Sequence, residues 1–250
     1  MRSSHEFALY YPTLGRHADV AAGMELVITD SDLVHRILRI LRMDVGQGCI
    51  LFDERIHVSA VIEEVFGKKK IHMRIAQAES NQILTPHITV LLPLLKRDEC
   101  DAAIYALAEL GVNDIQLLVT EKVQRKWGGA KELERLERVV ISAAEQSKQF
   151  VMPIVHEPQD LEKVIANLAP DACKLFFHPT GAPLYQTITR VRNQAASHLV
   201  LLVGPEGDLS NTEQVLVGEF GFTVSALTPT VLRAQHAIFL GAGIFRSVLV

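Results

Sequence analysis

The chain has 250 residues, 25 Lys plus Arg against 29 Asp plus Glu, a net charge of −4 and 48% hydrophobic residues. That length supports two domains with a substantial core, and the composition argues against long disordered regions. No run of eighteen apolar residues occurs, so a membrane-spanning helix is not expected. Met1–Glu6 is not followed by a signal-type apolar stretch, and a cytoplasmic location is expected. Cys49, Cys100 and Cys173 are odd in number and far apart, which fits reduced, buried thiols and no metal site.

Taken in chain order, Gly48–Phe52, His57–Val65 and Lys70–Ala76 are short strand-like runs separated by turns carrying Gly46, Gly48 and Gly67. Strands of this length and spacing predict a small β-barrel over residues 1–76. Residues 77–86 begin with the polar run Gln77 to Gln82 and are expected to be a linker. Beyond Pro86 the pattern changes to alternating strands and helices, which predicts an α/β domain with a parallel sheet over 87–250. His87–Leu95, Ile115–Thr120, Lys174–His178 and His198–Val203 read as strands. Asp98–Leu110 has helical periodicity and stops at Gly111, a natural C-cap. Lys131–Phe150 reads as a long amphipathic helix and Ala234–Val250 as an apolar last helix, suited either to a core or to a second subunit.

Three basic clusters stand out on this acidic chain: Arg36, Arg39 and Arg42 at three-residue spacing, Lys68-Lys69-Lys70 with Arg74, and Lys122, Arg125, Lys126, Lys131, Arg135 and Arg138 around Trp127-Gly128-Gly129. Each is either a solvated face or part of a basic groove for RNA. The arginine stems have a further use in covering apolar surface.

The most informative stretch is Leu202 to Glu213. An apolar strand stops at Gly204-Pro205-Glu206-Gly207, and a helix starts at once, with Ser210 and Glu213 spaced as a capping box. A Gly-rich turn at a helix start lets a ligand approach bare backbone N–H groups. The spacing is neither that of a phosphate-binding P-loop nor that of a dinucleotide fingerprint. A second segment follows, Ala226-Leu227-Thr228-Pro229-Thr230-Val231-Leu232-Arg233-Ala234-Gln235-His236-Ala237.

Together these two segments resemble the bacterial methyltransferases that modify N3 of a uridine in 16S ribosomal RNA, members of the knotted SPOUT superfamily. Gly204, Pro205, Glu206, Gly207, Leu209 and Ser210 match the family's first motif, and Leu227, Leu232, Arg233 and Ala237 match its second. Arg39-Ile40-Leu41-Arg42, Leu107 to Val112, Ala143-Ala144-Glu145-Gln146-Ser147 and Phe177-His178-Pro179 are similar to further family segments, in the same order along the chain. The sequence departs at Asp208, where the family has glycine, at Gln235 and His236, where it has glutamate and threonine, and at Thr228, Gln149 and the Arg-poor Met1–Tyr11.

The resemblance implies a PUA-like RNA-binding barrel followed by a SPOUT domain with a deep C-terminal trefoil knot, acting as a homodimer. It implies an S-adenosylmethionine (SAM) site built from Phe177, His178, Pro179, Leu202, Val203, Gly204, Glu206, Gly207, Leu227, Leu232 and Gln235. RNA contacts are expected from Arg36, Arg39, Arg42, Lys68, Lys69, Lys70, Arg125 and Lys126, and the expected partner is small-subunit rRNA or the 30S subunit. Arg233 fits stabilisation of a uracil anion, because a guanidinium stays charged and offers paired donors to a carbonyl oxygen. Contact with RNA phosphate and bracing of the knot are its alternatives. His236 fits a proton acceptor or a structural role at a helix start. Two other functions stay open: a non-catalytic RNA-binding or ribosome-assembly protein that has lost turnover through Asp208, Gln235 and His236, and a SPOUT enzyme with a different RNA target.

Overall fold

The computed structural model describes residues 6–16, 20–123, 125–194 and 196–249, so the expectations for Met1 to His5 and for Val250 lie outside the described residues. The chain forms two compact units, one from residues 1–83 with 144–151, the other from 84–143 with 152–250.

In the first unit, β1 (Ala8–Tyr10), β2 (Glu25–Ile28), β3 (Gly48–Phe52), β4 (Ile56–Phe66) and β5 (Lys70–Ser80) form one sheet in the order β1-β3-β4-β5-β2. β1 pairs parallel with β3, and the other pairings are antiparallel. Alternate residues of β4 and β5 face inward, so Val58, Ala60, Ile62, Ile71, Met73 and Ile75 join Leu14, Ile28, Ile37 and Leu51 in the core. A two-residue period with one buried face fixes the register, because a slip by one would turn every core side chain outward. β5 runs on through Ser80, which corrects the linker expected from Gln77. Residues Gln77 to Ser80 continue the ladder with Ser59 to Ile56 of β4, and the Glu79 carboxylate lies 3.8 Å from the His57 ring. The arginine cluster begins where a short helix changes its winding. α1 spans Ser31–His35, capped by the Asp30 carboxylate on Leu33 N–H, and passes into a single π-helical turn at Arg36–Ile40. It ends at Arg42, whose φ of +54° is left-handed.

In the second unit, β6 (His87–Pro93), β7 (Asp114–Val119), β8 (Ile154–Asp160), β9 (Cys173–Pro183), β10 (His198–Val203) and β11 (Thr223–Ala226) form a wholly parallel sheet in the order β11-β9-β10-β6-β7-β8. Strands covered on both faces read as continuous apolar runs, and the pleat sorts each run. Ile88, Val90 and Leu92, Leu175 and Phe177, and Leu199, Leu201 and Val203 enter one core. Leu91, Phe176, Val200 and Leu202 enter the core on the opposite face.

The first core holds buried side chains from α2 (Arg97–Glu109), α3 (Ala130–Ser147), α5 (Leu184–Gln194) and α7 (Ala234–Leu249). The second holds those of α4 (Leu161–Ala166) and α6 (Asn211–Glu219). Each fully buried Leu or Ile here contributes about 1.5–3 kcal/mol. α3 stops at Ser147 rather than at Phe150, since Lys148 turns left-handed at φ +60°. α2 ends as expected, with Gly111 at φ +66°. Cys49 and Cys100 are buried free thiols, pushed up by burial to about 12 and about 11, whereas Cys173 is only half-buried.

Candidate cofactor pocket and basic residues

The carboxyl half of β9 and the segments that follow β10 and β11 line a cavity of about 560 Å³. Phe177, His178 and Pro179 form one wall; Val203, Gly204, Pro205, Glu206 and Asp208 form the second; Leu227, Thr228, Thr230, Val231, Leu232 and Arg233 form the third, backed by Ala234 and Ala237 of α7. Ligands of open parallel sheets bind at this edge, outside the carboxyl ends of the strands. The volume lies within the usual range for small-molecule and cofactor sites, roughly 300–1,000 Å³.

Each wall is fixed by local chemistry. The second wall ends in the expected capping box: Ser210 Oγ accepts from Glu213 N–H at 3.1 Å, and Glu213 Oε2 accepts from Ser210 N–H at 2.8 Å. The other Glu213 oxygen accepts from Glu121 N–H at 2.9 Å, joining this helix start to the segment after β7. From that segment Lys122 Nζ donates to the carbonyls of Gly207 at 2.8 Å and Leu209 at 3.2 Å. Within the turn, Asp208 N–H donates to Pro205 O at 2.8 Å and the Asp208 backbone is left-handed at φ +58°. Gly204 has no room for a side chain, since a Cβ there would lie 2.7 Å from Asp208 Oδ1.

The first wall depends on a glycine in the last helix. A Cβ on Gly241 would come within 2.2 Å of the Phe177 ring, so the bare backbone of α7 is what lets that ring pack. Two buried hydroxyls, Thr187 Oγ1 and Ser225 Oγ at 2.9 Å, tie α5 to β11 just before the third wall.

Eight of the expected pocket residues come together: Phe177, His178, Pro179, Val203, Gly204, Glu206, Leu227 and Leu232. Leu202 does not, because the pleat turns it into the core on the other face. Gly207 lies beside Lys122 rather than on the cavity wall. Gln235 is not part of the cavity lining, and its Oε1 is buried without a hydrogen-bond partner. His236 is exposed at the start of α7 and is likewise not part of the lining.

Arg233 reaches the cavity with its side chain 68% exposed, and Nη1 donates to Glu99 Oε1 of α2 at 3.2 Å. Glu99 is itself largely buried and its second oxygen has no partner. One turn earlier, Lys96 Nζ donates to Glu206 at 3.1 and 3.2 Å. Lys96 and Glu99 were not legible as site residues, whereas Asp208 stood out as a carboxylate in place of the family's glycine. Lys96 and Glu99 stand 110 and 134 positions from their partners, and no local spacing signals such a pairing.

Among the basic residues, Arg39, Arg42, Lys68, Lys69 and Lys126 are exposed. Lys70 Nζ lies 5.1 Å from the centroid of the exposed Phe66 ring, at the β4–β5 turn. Arg36 is committed within its own unit: it forms a two-pronged pair with Glu145 at 2.6 and 2.9 Å, and Glu145 also accepts from Tyr10 N–H. Arg125 is also held internally, by Glu132 and by the carbonyl of Leu95. Among the described residues no group of three metal-ligating side chains occurs, and no helix is long and apolar enough to cross a membrane.

Comparison with known proteins places this geometry. Residues 83–245 match the family model described as an RNA methyltransferase domain. The ribosomal RNA small subunit methyltransferase E of Mycobacterium bovis is 26% identical over 87% of this chain and 85% of its own length. That of Rickettsia conorii is 26% identical over 87% and 88%. A Legionella pneumophila protein solved with bound SAM is 25% identical and superposes with a TM-score of 0.81 over 98% of both chains. The Neisseria gonorrhoeae ribosomal RNA small subunit methyltransferase E shares the fold, with a TM-score of 0.83 over 98% of both chains at 24% identity. With well over half its length matched by the family model, the chain belongs to the RNA methyltransferase domain family.

Proposed function

We propose that this RNA methyltransferase uses SAM to methylate N3 of a uridine in small-subunit ribosomal RNA. The observation that carries the reading is the three-walled cavity at the carboxyl edge of the sheet, in a chain whose relatives are named for that substrate. The cavity suits the cofactor chemically. Leu227, Leu232 and Phe177 offer apolar faces, the Gly204 turn offers close backbone, and Glu206 and Asp208 offer negative charge toward a cation. When bound there, SAM supplies an electrophilic methyl group on a sulfonium.

The chain's own residues then have two tasks. The walls hold the acceptor nitrogen in line with the methyl group, which removes much of the entropic barrier. Arg233 donates to a uracil carbonyl oxygen while the N3 proton passes to solvent water, so that negative charge develops beside a guanidinium. As the N–C bond forms, the S–C bond breaks and the demethylated cofactor S-adenosylhomocysteine remains. Glu99 keeps the Arg233 head at the cavity mouth. Because N3 lies on the Watson–Crick edge, the uridine must be unpaired or extruded first.

The first unit is read as a PUA-like barrel that binds RNA, with Lys68, Lys69 and Lys70 at its β4–β5 turn and Arg39 and Arg42 after α1. Lys126, in the second unit, adds a phosphate contact. The apolar α7 is read as threading a trefoil knot and as the face of a homodimer in the cytoplasm.

The test is to incubate the protein with isotopically labelled SAM and small-subunit rRNA, free and assembled, and to map the product by mass spectrometry. A single N3-methyluridine is expected. A methyl group at another position would redirect the substrate reading, and no transfer despite cofactor binding would leave an RNA-binding protein.

A further inference from the structure

We infer that Asp208 is a specificity-determining residue whose negative charge makes the pocket favour the cationic methyl donor over its uncharged-thioether product. The inference rests on the cavity being the SAM site.

Asp208 lines the cavity, and all of its carboxylate contacts hold it there. Oδ1 accepts from Leu209 N–H at 2.8 Å. Oδ2 accepts from His178 Nε2 at 2.9 Å and from Gln214 Nε2 at 3.0 Å. These donors come from three places: the turn itself, β9, and α6. The His178 ring is oriented in turn by Thr180, whose N–H and hydroxyl lie 3.3 and 2.7 Å from Nδ1. A backbone N–H directed at Nδ1 makes that nitrogen an acceptor, so the ring carries its proton on Nε2 and donates it to Asp208. The carboxylate is therefore held by donors on both oxygens.

The site is arranged to need that charge. SAM carries a sulfonium that its product lacks, while the rest of the two molecules is the same. Of the pocket's ionised groups, Glu206 is offset by Lys96, and Arg233 is offset by Glu99. Asp208 contacts only the imidazole, the carboxamide and the backbone; the ammonium of Lys122 is held by the carbonyls of Gly207 and Leu209 on either side and forms no ion pair with the carboxylate. A cavity of about 560 Å³ keeps any occupant within roughly 10 Å of it, and one unit charge at that range changes a cation's affinity by about fivefold at an intermediate dielectric. Asp208 also sits at φ +58°, a conformation in which Asp and Asn are tolerated and most other side chains are strained.

Calorimetric titration of the full chain with SAM and with S-adenosylhomocysteine separates charge from shape. Asp208→Asn keeps the backbone and volume and removes the charge; Asp208→Gly keeps the left-handed backbone and removes charge and side chain together, should the carboxamide disturb folding. Both are expected to weaken SAM more than the homocysteine form, so that the ratio of the two affinities falls by about fivefold. His178→Gln keeps the carboxylate and cuts one tie, so it should weaken both ligands together and leave the ratio unchanged. Parallel weakening by Asp208→Asn, or no change, would overturn the inference and reduce Asp208 to a turn residue. Failure of the unaltered protein to bind either ligand would overturn the cofactor reading itself, and this inference with it.

Discussion

The two ends of the parallel sheet are built on different terms. At the amino end, polar groups are fully matched. Asp114, at the start of β7, accepts from His87 at 2.7 Å and from His156 at 2.8 Å, and His198 meets Thr89 at 2.9 Å. Arg246 of α7, only 7% exposed, donates to the carbonyls of Pro86, Leu110 and Gly111 and to Asn113 Oδ1. At the carboxyl end the loops carry a left-handed aspartate, and buried polar atoms of Glu99, Thr120, Trp127 and Gln235 have no hydrogen-bond partner. Unsatisfied buried groups and unusual backbone conformations cost stability and persist where function retains them. The amino end stabilises the fold, and the carboxyl end gives up stability to form a pocket.

This contrast is broken most severely at Arg246. Arg246→Ala removes a buried cation that donates to three carbonyl oxygens, and at about 1–3 kcal/mol for each unsatisfied group the loss should be at least 3 kcal/mol. Chemical denaturation should show that loss, while SAM affinity of the remaining folded protein stays unchanged. A fall in affinity without a fall in stability would mean that the two ends are not separable.

The converse substitution is Arg233→Ala at the carboxyl end. It should lower kcat about 100-fold, as removal of one charge-stabilising donor does elsewhere, with stability unchanged and SAM affinity changed little. Single-turnover kinetics and a thermal melt check both halves. A large loss of stability would assign Arg233 to bracing instead.

The smallest effect is at His198. Burial, and next the neighbouring His87, hold its pKa below the ordinary value, while Asp114 and Asp171 act in the opposite sense. The folded protein thus resists a proton that the unfolded chain takes up as pH falls through about 6.5. Stability should accordingly be lost on acidification from pH 7.5 to 5.5, and His198→Gln should lose less. Equal losses in the two proteins would remove His198 from the account.

What was legible in the sequence follows the same division. The four inner strands of the second unit were readable because they are buried on both faces, and continuous apolar runs such as His198–Val203 need no alternation to be recognised. The capping box at Ser210 and Glu213 was readable because its partners are three residues apart. β1, β2, β8, α4, α5 and β11 were missed. β8, for one, alternates weakly and carries an exposed Ile154. In the pocket, residues contiguous with a motif were found, whereas Lys96 and Glu99 were not, since only the fold brings α2 to the loops after β10 and β11. Leu202 was misplaced for a simpler reason: a motif does not say which side of the pleat a residue faces. Arg36 fitted a basic groove by spacing alone, but its guanidinium is bound to Glu145.

Equilibrium dialysis with labelled SAM tests the central claim most directly, comparing the natural chain with Gly204→Trp. A side chain at 204 collides with Asp208 and fills the turn on which the second wall depends. Saturable binding by the natural chain, lost in a folded Gly204→Trp protein, is the predicted result. Equal binding by both proteins would contradict the account by placing the cofactor elsewhere, and absence of binding by the natural chain would contradict the pocket's assignment altogether.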